Sequence, residues 1–224
     1  GGANTSLGTC SLKENTTGTH NVAVGKDALE ALTTGACNVA IGKTVLADTT
    51  TAIGNTAVGT LSMCTNTTGA NNTAIGRLSL KENTTGSENT ALGRSALTET
   101  TTGTQNTAVG HFALACNTTC GNLTAVGFGA LCANTTGTND TAMGHASLDA
   151  NTSGSDNVAF GTNTLGANTS GGNNTAIGSC ALQANTTASD NTAVGLRTLL
   201  ANTTGAKNTA VGHIALSSNT TGDE

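Results

Sequence analysis

Apolar and polar residues follow a pattern along this chain that returns every 17 residues, through thirteen repeats without an insertion or deletion. The repeats begin at residues 4, 21, 38, 55, 72, 89, 106, 123, 140, 157, 174, 191 and 208, and positions 1 to 17 below are counted from these residues. A unit this short cannot bury an apolar face alone, so a fixed period indicates units that stack on one another. The pattern therefore predicts a repeat array.

Two positions of the repeat carry the large apolar side chains. Position 4 is large and apolar in every repeat, from Leu7 to Val211, and position 9 is Leu except at Met63. Position 2 is always β-branched, either Thr or Val. Apolar and β-branched residues two apart are typical of a short strand with one buried face. We therefore expect positions 4 and 9 to fill the interior, with two short strands in each coil.

Position 3 lies between these residues and is Ala in every repeat except the first, which has Ser6. On the opposite face of the strand, such a small side chain indicates close approach by another surface, such as a second chain. A tight corner of the coil is the alternative. The pattern leaves both interpretations open.

Glycine and polar residues mark the bends of the predicted coil. Position 5 is Gly in all thirteen repeats, and positions 12 to 15 are Asn-Thr-Thr-Gly in most of them. We expect bends at both glycines, because glycine alone adopts positive φ without strain. All Lys, Arg, Asp and Glu residues except Asp140 occupy positions 6, 7, 10, 11, 16 and 17, which predicts that these positions face solvent.

These features define the fold class as all-β, a parallel β-solenoid (β-roll or β-helix) of thirteen 17-residue repeats. Gly, Thr and Asn at this density oppose helix. We expect residues 1–224 to form one array about 60 Å long at about 4.8 Å per coil. Residues 1–3 match the end of a preceding repeat and residues 4–224 form the full repeats, so a piece of a longer fibre is expected. The core is thin, and lateral association of chains through the Ala row would strengthen it.

Composition narrows the classes of partner. The net charge of −5 and the absence of basic runs argue against a nucleic-acid surface. No apolar run approaches the roughly 20 residues that a membrane-spanning helix needs. The chain has three Phe and no Trp or Tyr, so an ordinary mixed core is not expected.

The repeat Asn-Thr-Ala-Val/Ile-Gly-x-x-Ala-Leu-x-x-Asn-Thr-Thr-Gly, seen at residues 208–222, resembles the arrays of bacterial and phage tail-fibre-type proteins. Its Ala-Val-Gly or Ala-Ile-Gly step is similar to the head repeats of trimeric autotransporter adhesins, which form parallel β-rolls in homotrimers. The resemblance covers the whole chain and implies an extracellular, fibrous, trimeric protein. The adhesin repeat is shorter than 17 residues, and seven cysteines are unusual for such shafts.

An Asn-x-Ser/Thr motif occupies position 12 of ten repeats, which makes these Asn residues candidates for N-glycosylation on a turn. The ten residues are Asn15, Asn66, Asn83, Asn117, Asn134, Asn151, Asn168, Asn185, Asn202 and Asn219. The alternative is structural, with stacked Asn and Thr side chains that bond to their own turns and to neighbouring coils. Four further motifs begin at position 17, at Asn71, Asn122, Asn139 and Asn173, and one begins at Asn4.

The remaining polar residues offer little chemistry. Cys116 and Cys132 are 16 residues apart, nearly one coil, which makes them candidates for a disulfide. Cys116 and Cys120 alone have the spacing of a zinc-binding pair, and there is no obvious second pair, so we expect no metal and no cofactor. His111, His145 and His213 share position 6 in non-adjacent coils, which predicts solvated side chains. No nucleophile, base and acid can be paired from the pattern, so an enzyme is not expected.

The sequence thus predicts the structural shaft of an extracellular fibre or filament, at a cell or virion surface, that self-associates as a homotrimer or head to tail. A receptor-binding adhesin is one alternative. A Thr-rich ice-binding solenoid is another, but the Thr residues of positions 13 and 14 are adjacent and would face opposite sides of a strand.

Overall fold

The computed structural model describes residues 2–223, so the predicted repeat positions of Gly1 and Glu224 lie outside the described residues. The chain forms two compact units, Gly1–His111 and Phe112–Glu224, called here the N-terminal and C-terminal units. Each is described by itself. Both are built from 17-residue coils stacked through parallel strands, which confirms the predicted parallel β-solenoid.

The N-terminal unit contains one three-residue strand in each coil, at positions 2 to 4. The strands are β1 (Thr5–Leu7), β2 (Val22–Val24), β3 (Val39–Ile41), β4 (Thr56–Val58), β5 (Thr73–Ile75), β6 (Thr90–Leu92) and β7 (Thr107–Val109). Each pairs with the next in parallel and in register, so that Thr73 lies opposite Thr90. Equivalent side chains of successive coils are therefore stacked about 4.8 Å apart.

The C-terminal unit repeats this arrangement with six strands. They are β8 (Thr124–Val126), β9 (Thr141–Met143), β10 (Val158–Phe160), β11 (Thr175–Ile177), β12 (Thr192–Val194) and β13 (Thr209–Val211). Pairing is again parallel and in register, with Ala159 opposite Ala176. The expectation of two strands per coil was wrong for both units.

The backbone outside the strand explains why only one strand forms. The described residues of positions 7, 9 and 17 all adopt the left-handed conformation, and the position-9 residues have φ between 46° and 52°. A strand cannot continue through such residues. Two tight turns replace it, and their N–H groups also donate to the next coil, as in Leu148 N to Thr164 O at 3.0 Å.

The strand buries the opposite face from the one that the sequence predicted. The Ala side chains of position 3 point inward and are fully buried from the second repeat onward, except Ala210 in the last coil at 5% exposure. Position 4 points outward, with Ile75 at 43% and Phe160 at 50% exposure. The prediction that position 4 fills the interior was therefore wrong, and the Ala row is no lateral contact surface. The small Ala side chains share the interior of the coil with buried Leu and Asn side chains.

The position-9 residues form the apolar core, as expected. Their side chains are fully buried from Leu29 to Leu199. Leu216 is 54% exposed, because no coil within residues 2–223 is stacked above it. The comparison shows that burial of each core residue depends on the coil stacked above it.

Glycine occupies position 5 in all thirteen repeats and position 15 in ten of them, for different reasons. At position 5, φ lies between 125° and 143°, and a Cβ on Gly93 would lie 2.6 Å from the carbonyl oxygen of Gly110 in the next coil. The predicted bend at position 5 is confirmed. At position 15, φ is not in the left-handed region, and a Cβ on Gly154 would press on Gly171 O of the next coil and lie 2.6 Å from Asn151 Oδ1. Close packing against the next coil and a buried amide, rather than a bend, explains that glycine.

Candidate functional site

A ladder of buried Asn side chains runs through the coils at position 1. Asn55 Oδ1 accepts hydrogen bonds from the backbone N (2.9 Å) and Nδ2 (3.2 Å) of Asn72 in the next coil. Asn72 Nδ2 also donates to Gly86 O of its own coil at 2.9 Å. Each amide is thus bonded along the stack and across its coil, which satisfies a polar group that would otherwise be costly to bury. The sequence pattern did not identify position 1 as an interior position.

Position 12 carries a second buried ladder. Asn168 Nδ2 donates to Asn151 Oδ1 in the preceding coil and to Gly171 O in its own coil, both at 3.0 Å. The ladder continues from Asn134 to Asn219 in the C-terminal unit. In the N-terminal unit the ladder is interrupted. Position 12 of the coil after Asn83 is Thr100 rather than Asn, and Asn83 Oδ1 accepts no hydrogen bond from the described residues.

The second ladder bears directly on the predicted glycosylation sites. Eight of the ten candidates are fully buried, and Asn15 and Asn219 are half-buried: the eight are Asn66, Asn83, Asn117, Asn134, Asn151, Asn168, Asn185 and Asn202. Their Nδ2 atom, where a glycan would be attached, donates to the carbonyl group of position 15, as in Asn202 to Gly205 at 2.8 Å. A sugar there would require opening of the coil. Glycosylation stays a prediction, which this geometry disfavours, whereas the position-17 sites such as Asn71 and Asn173 are exposed.

The Thr residues of position 13 are also committed to the stack. Thr152 Oγ1 and its backbone N both donate to Thr169 O of the next coil, at 3.0 and 2.9 Å. The backbone N of Ser153 donates to the same oxygen at 3.1 Å. These hydroxyl groups therefore serve the structure, and positions 13 and 14 do not form the free Thr array considered for ice binding.

The outward face of the strands is the main exposed apolar surface, and we call positions 2 and 4 together the stripe. Seven of the thirteen exposed large apolar residues belong to it: Leu7, Ile41, Ile75, Val158, Phe160, Ile177 and Val211. Position 2 adds ten Thr residues, whose hydroxyl groups make no hydrogen bond to any residue within 2–223. In each unit the stripe is thus a two-row face of aliphatic groups and hydroxyl groups at coil spacing.

Asp140 is the buried carboxylate of the C-terminal unit and replaces Asn at position 1. Burial raises the pKa of its carboxyl group to about 7, although hydrogen bonds to Oδ1 from Asn157 N at 2.8 Å and Nδ2 at 3.1 Å oppose the shift. Asn151 Nδ2 donates to Oδ2 at 3.1 Å. Asp140 was the one charged residue outside the predicted solvent positions, and it lies inside the coil.

The cysteines are spread over both units. Cys116 and Cys132 lie in neighbouring coils, with Cys116 N donating to Cys132 O at 3.1 Å, and the disulfide between them stays a prediction. Burial raises the pKa of the Cys64, Cys120 and Cys132 thiols, which keeps them protonated and weakly nucleophilic at neutral pH.

One group of potential metal ligands was missed from the sequence. The ligand atoms of Cys10, Asp27 and Glu30 lie within 4.8 Å of one another in adjacent coils. Both carboxylates already pair with lysines, Asp27 with Lys26 at 3.6 Å and Glu30 with Lys13 at 3.4 Å. The cluster is therefore explained as surface ion pairing.

The position-6 histidines lie on the surface of the coils. His111 Nε2 lies 3.4 Å from Arg94 Nη1 in the N-terminal unit. In the C-terminal unit, His145 stacks on Phe128 with ring centroids 5.4 Å apart and an angle of 11° between the rings. Stacking between equivalent positions of adjacent coils explains both contacts.

Comparison with known proteins places the chain in no established family. No protein-family model matches it, and no curated protein is significantly similar to it. Among the described residues, no helix has the length and apolar character needed to cross a lipid bilayer. The structural class, a parallel β-solenoid repeat protein, is thus defined by the fold alone.

Proposed function

We propose that this chain is a shaft segment of an extracellular fibre at a cell or virion surface, with a structural rather than a catalytic role. The observation that carries the proposal is the repetition of one bonding scheme from coil to coil. In each unit, in-register strands and at least one amide ladder join successive coils. Such quasi-one-dimensional stacking gives an extended element whose length is set by the number of repeats.

The stripe supports self-association of the shaft. Contiguous exposed apolar patches mark interaction surfaces in soluble proteins. The occupant that fits best is a second copy of this chain, because its stripe has the same coil spacing and stays in register over many coils. Three stripes facing a common axis would give the homotrimer, and contact between coil ends would give a head-to-tail filament.

The oligomeric state tests this proposal. We expect sedimentation to find an oligomer for the wild-type chain and a monomer for Ile75→Lys/Ile177→Lys, which places one charge on the stripe of each unit. The matched control is Ile53→Lys/Leu196→Lys, at positions that are 52% and 45% exposed but outside the stripe. A wild-type chain that stays monomeric at about 100 µM would overturn association through the stripe.

A second candidate function, ice binding, is favoured by the unbonded hydroxyl groups of position 2. Ten of the thirteen repeats carry Thr there, beside an aliphatic residue at position 4. A regular array of hydroxyl and methyl groups can order water. The test is thermal hysteresis of the monomeric chain. Hysteresis that is lost in Thr73→Leu/Thr90→Leu but kept in the control Thr68→Leu/Thr85→Leu, at exposed position-14 residues, would favour this function over the shaft.

A further inference from the structure

A row of cations occupies position 6 of the N-terminal unit. It consists of Lys26, Lys43, Arg77 and Arg94, which are half of the eight Lys and Arg residues of the chain. Their backbones are stacked by one ladder of hydrogen bonds, as in Thr44 N to Lys26 O at 2.8 Å and Ser95 N to Arg77 O at 3.0 Å. With Thr60 in the gap, the charges are spaced by one or two coils, about 5 or 10 Å. We call these four residues the cationic row.

The cationic row is neutralised only in part by the residues that the structure describes. Lys26 pairs with Asp27 at 3.6 Å, whereas Lys43 and Arg77 form no ion pair with any residue in the described range. Like charges stacked on adjacent coils repel one another and destabilise the stack. All four side chains are exposed, so solvent screens part of this cost.

The other cations of the same unit are arranged differently. Lys13 and Lys81 stand at position 10, and each pairs with the Glu that follows it, Lys13 with Glu14 at 3.3 Å and Lys81 with Glu82. At position 10, therefore, each lysine of this unit has a neighbouring Glu that neutralises it in a surface ion pair. Along most of the cationic row it has none.

We propose that the cationic row binds a linear anionic polysaccharide laid along the stack of coils. A small anion would contact one or two of the four charges, whereas a linear polymer with carboxylate or sulfate groups at sugar spacing contacts them all. Single-stranded nucleic acid would also need aromatic side chains for base stacking, which position 6 does not supply between Lys26 and Arg94. This proposal does not depend on the shaft or on the stripe.

Binding to heparin and to polygalacturonate tests the proposal, with uncharged dextran as the neutral polymer. We expect the wild-type chain to bind both anionic polymers at low salt and not dextran. Lys43→Gln/Arg77→Gln should weaken binding about tenfold or more and reduce the slope of log affinity against log salt, because two polymer-bound charges are lost. The matched control Lys13→Gln/Lys81→Gln removes the same charge and should change affinity by less than about twofold.

The control variant decides between the cationic row and net charge. Equal losses of affinity in both double variants would overturn the proposal, because net charge would then explain binding. Absence of binding by the folded wild-type chain at low salt would also overturn it. Circular dichroism of each variant verifies that the coils remain folded, and a Lys43→Arg/Arg77→Lys variant that retains binding would support recognition of charge at these positions.

Discussion

The N-terminal and C-terminal units share one coil but differ in their ladders and in their charge. In the N-terminal unit the position-1 Asn ladder is continuous from Asn4 to Asn106, while the position-12 ladder is interrupted at Leu32, Thr49 and Thr100. In the C-terminal unit Leu123 interrupts position 1, which resumes at Asp140, and the position-12 ladder is continuous from Asn134 to Asn219. The difference teaches that coils still stack where one amide ladder is interrupted, since the backbone ladder and the other amides also join them.

The two units also differ in their numbers of charged residues. Six of the eight Lys and Arg residues and seven of the thirteen Asp and Glu residues lie in the N-terminal unit. The C-terminal unit therefore has two basic and six acidic residues, and its position 6 carries Phe128 and His145 in place of cations. The shared interior fixes the coil, and the surface positions are free to differ between the units.

The largest effect is expected where the two units are identical, at the position-5 glycine. In Gly93→Ala, a side chain at positive φ would press on Gly110 O, so we expect a loss of about 5 kcal/mol in the free energy of unfolding. Gly212 has a similar positive φ, 126° against 136° for Gly93, but an added Cβ would meet no atom closer than 3.9 Å, so Gly212→Ala should lose only the backbone strain, about 1–2 kcal/mol. Urea unfolding measures both. Gly166→Ala, with φ outside the left-handed region, is the near-neutral control, and equal effects of all three would contradict this account.

Asp140, a buried carboxyl group of the C-terminal unit, destabilises the fold when it is ionised. Its pKa is raised from 3.8 to about 7, so ionisation costs stability in the folded state. Below about pH 4 the carboxyl group is protonated in the folded and the unfolded states, and its burial carries no ionisation penalty. The penalty grows as pH rises from about 4 to about 7 and is constant above that. We expect Asp140→Asn to be stabilising above neutral pH by up to about 4 kcal/mol, with the advantage declining towards pH 4. A difference from wild type that does not vary with pH would contradict burial of an ionisable group.

The position-12 ladder can be tested by comparing an Asn inside a continuous stretch with an Asn next to an interruption. Asn168 is bonded to both neighbouring coils, whereas Asn83 Oδ1 accepts no hydrogen bond within the described part of the chain. We expect Asn168→Ala to cost about 3 kcal/mol and Asn83→Ala about 1–2 kcal/mol less, since fewer buried partners are left unsatisfied. Thermal unfolding of both variants measures the difference. Equal costs would mean that continuity of the ladder contributes nothing.

Much of the coil was predictable from single positions of the repeat. The invariant Gly of position 5, the Leu of position 9 and the β-branched position 2 correctly predicted the bend, the core row and the place of the strand. The direction of the strand was not predictable. Positions 2, 3 and 4 are Thr or Val, Ala, and a larger apolar residue, and a strand of three residues gives too little alternation to define its buried face.

The buried amides show the same limit. Single-sequence rules treat Asn, Thr and Gly as turn residues, and Asn168 in its Asn-Thr-Ser-Gly segment fits that description. Its burial becomes favourable only because Asn151 and Asn185, each 17 residues away, supply hydrogen-bond partners. The sequence by itself determined the period, the parallel stacking and the core row, because these follow from steric and apolar properties of each position. Tertiary structure alone decided that Ala and Asn point inward and that Ile75 and its equivalents point outward, because the narrow interior and the neighbouring coils set that choice.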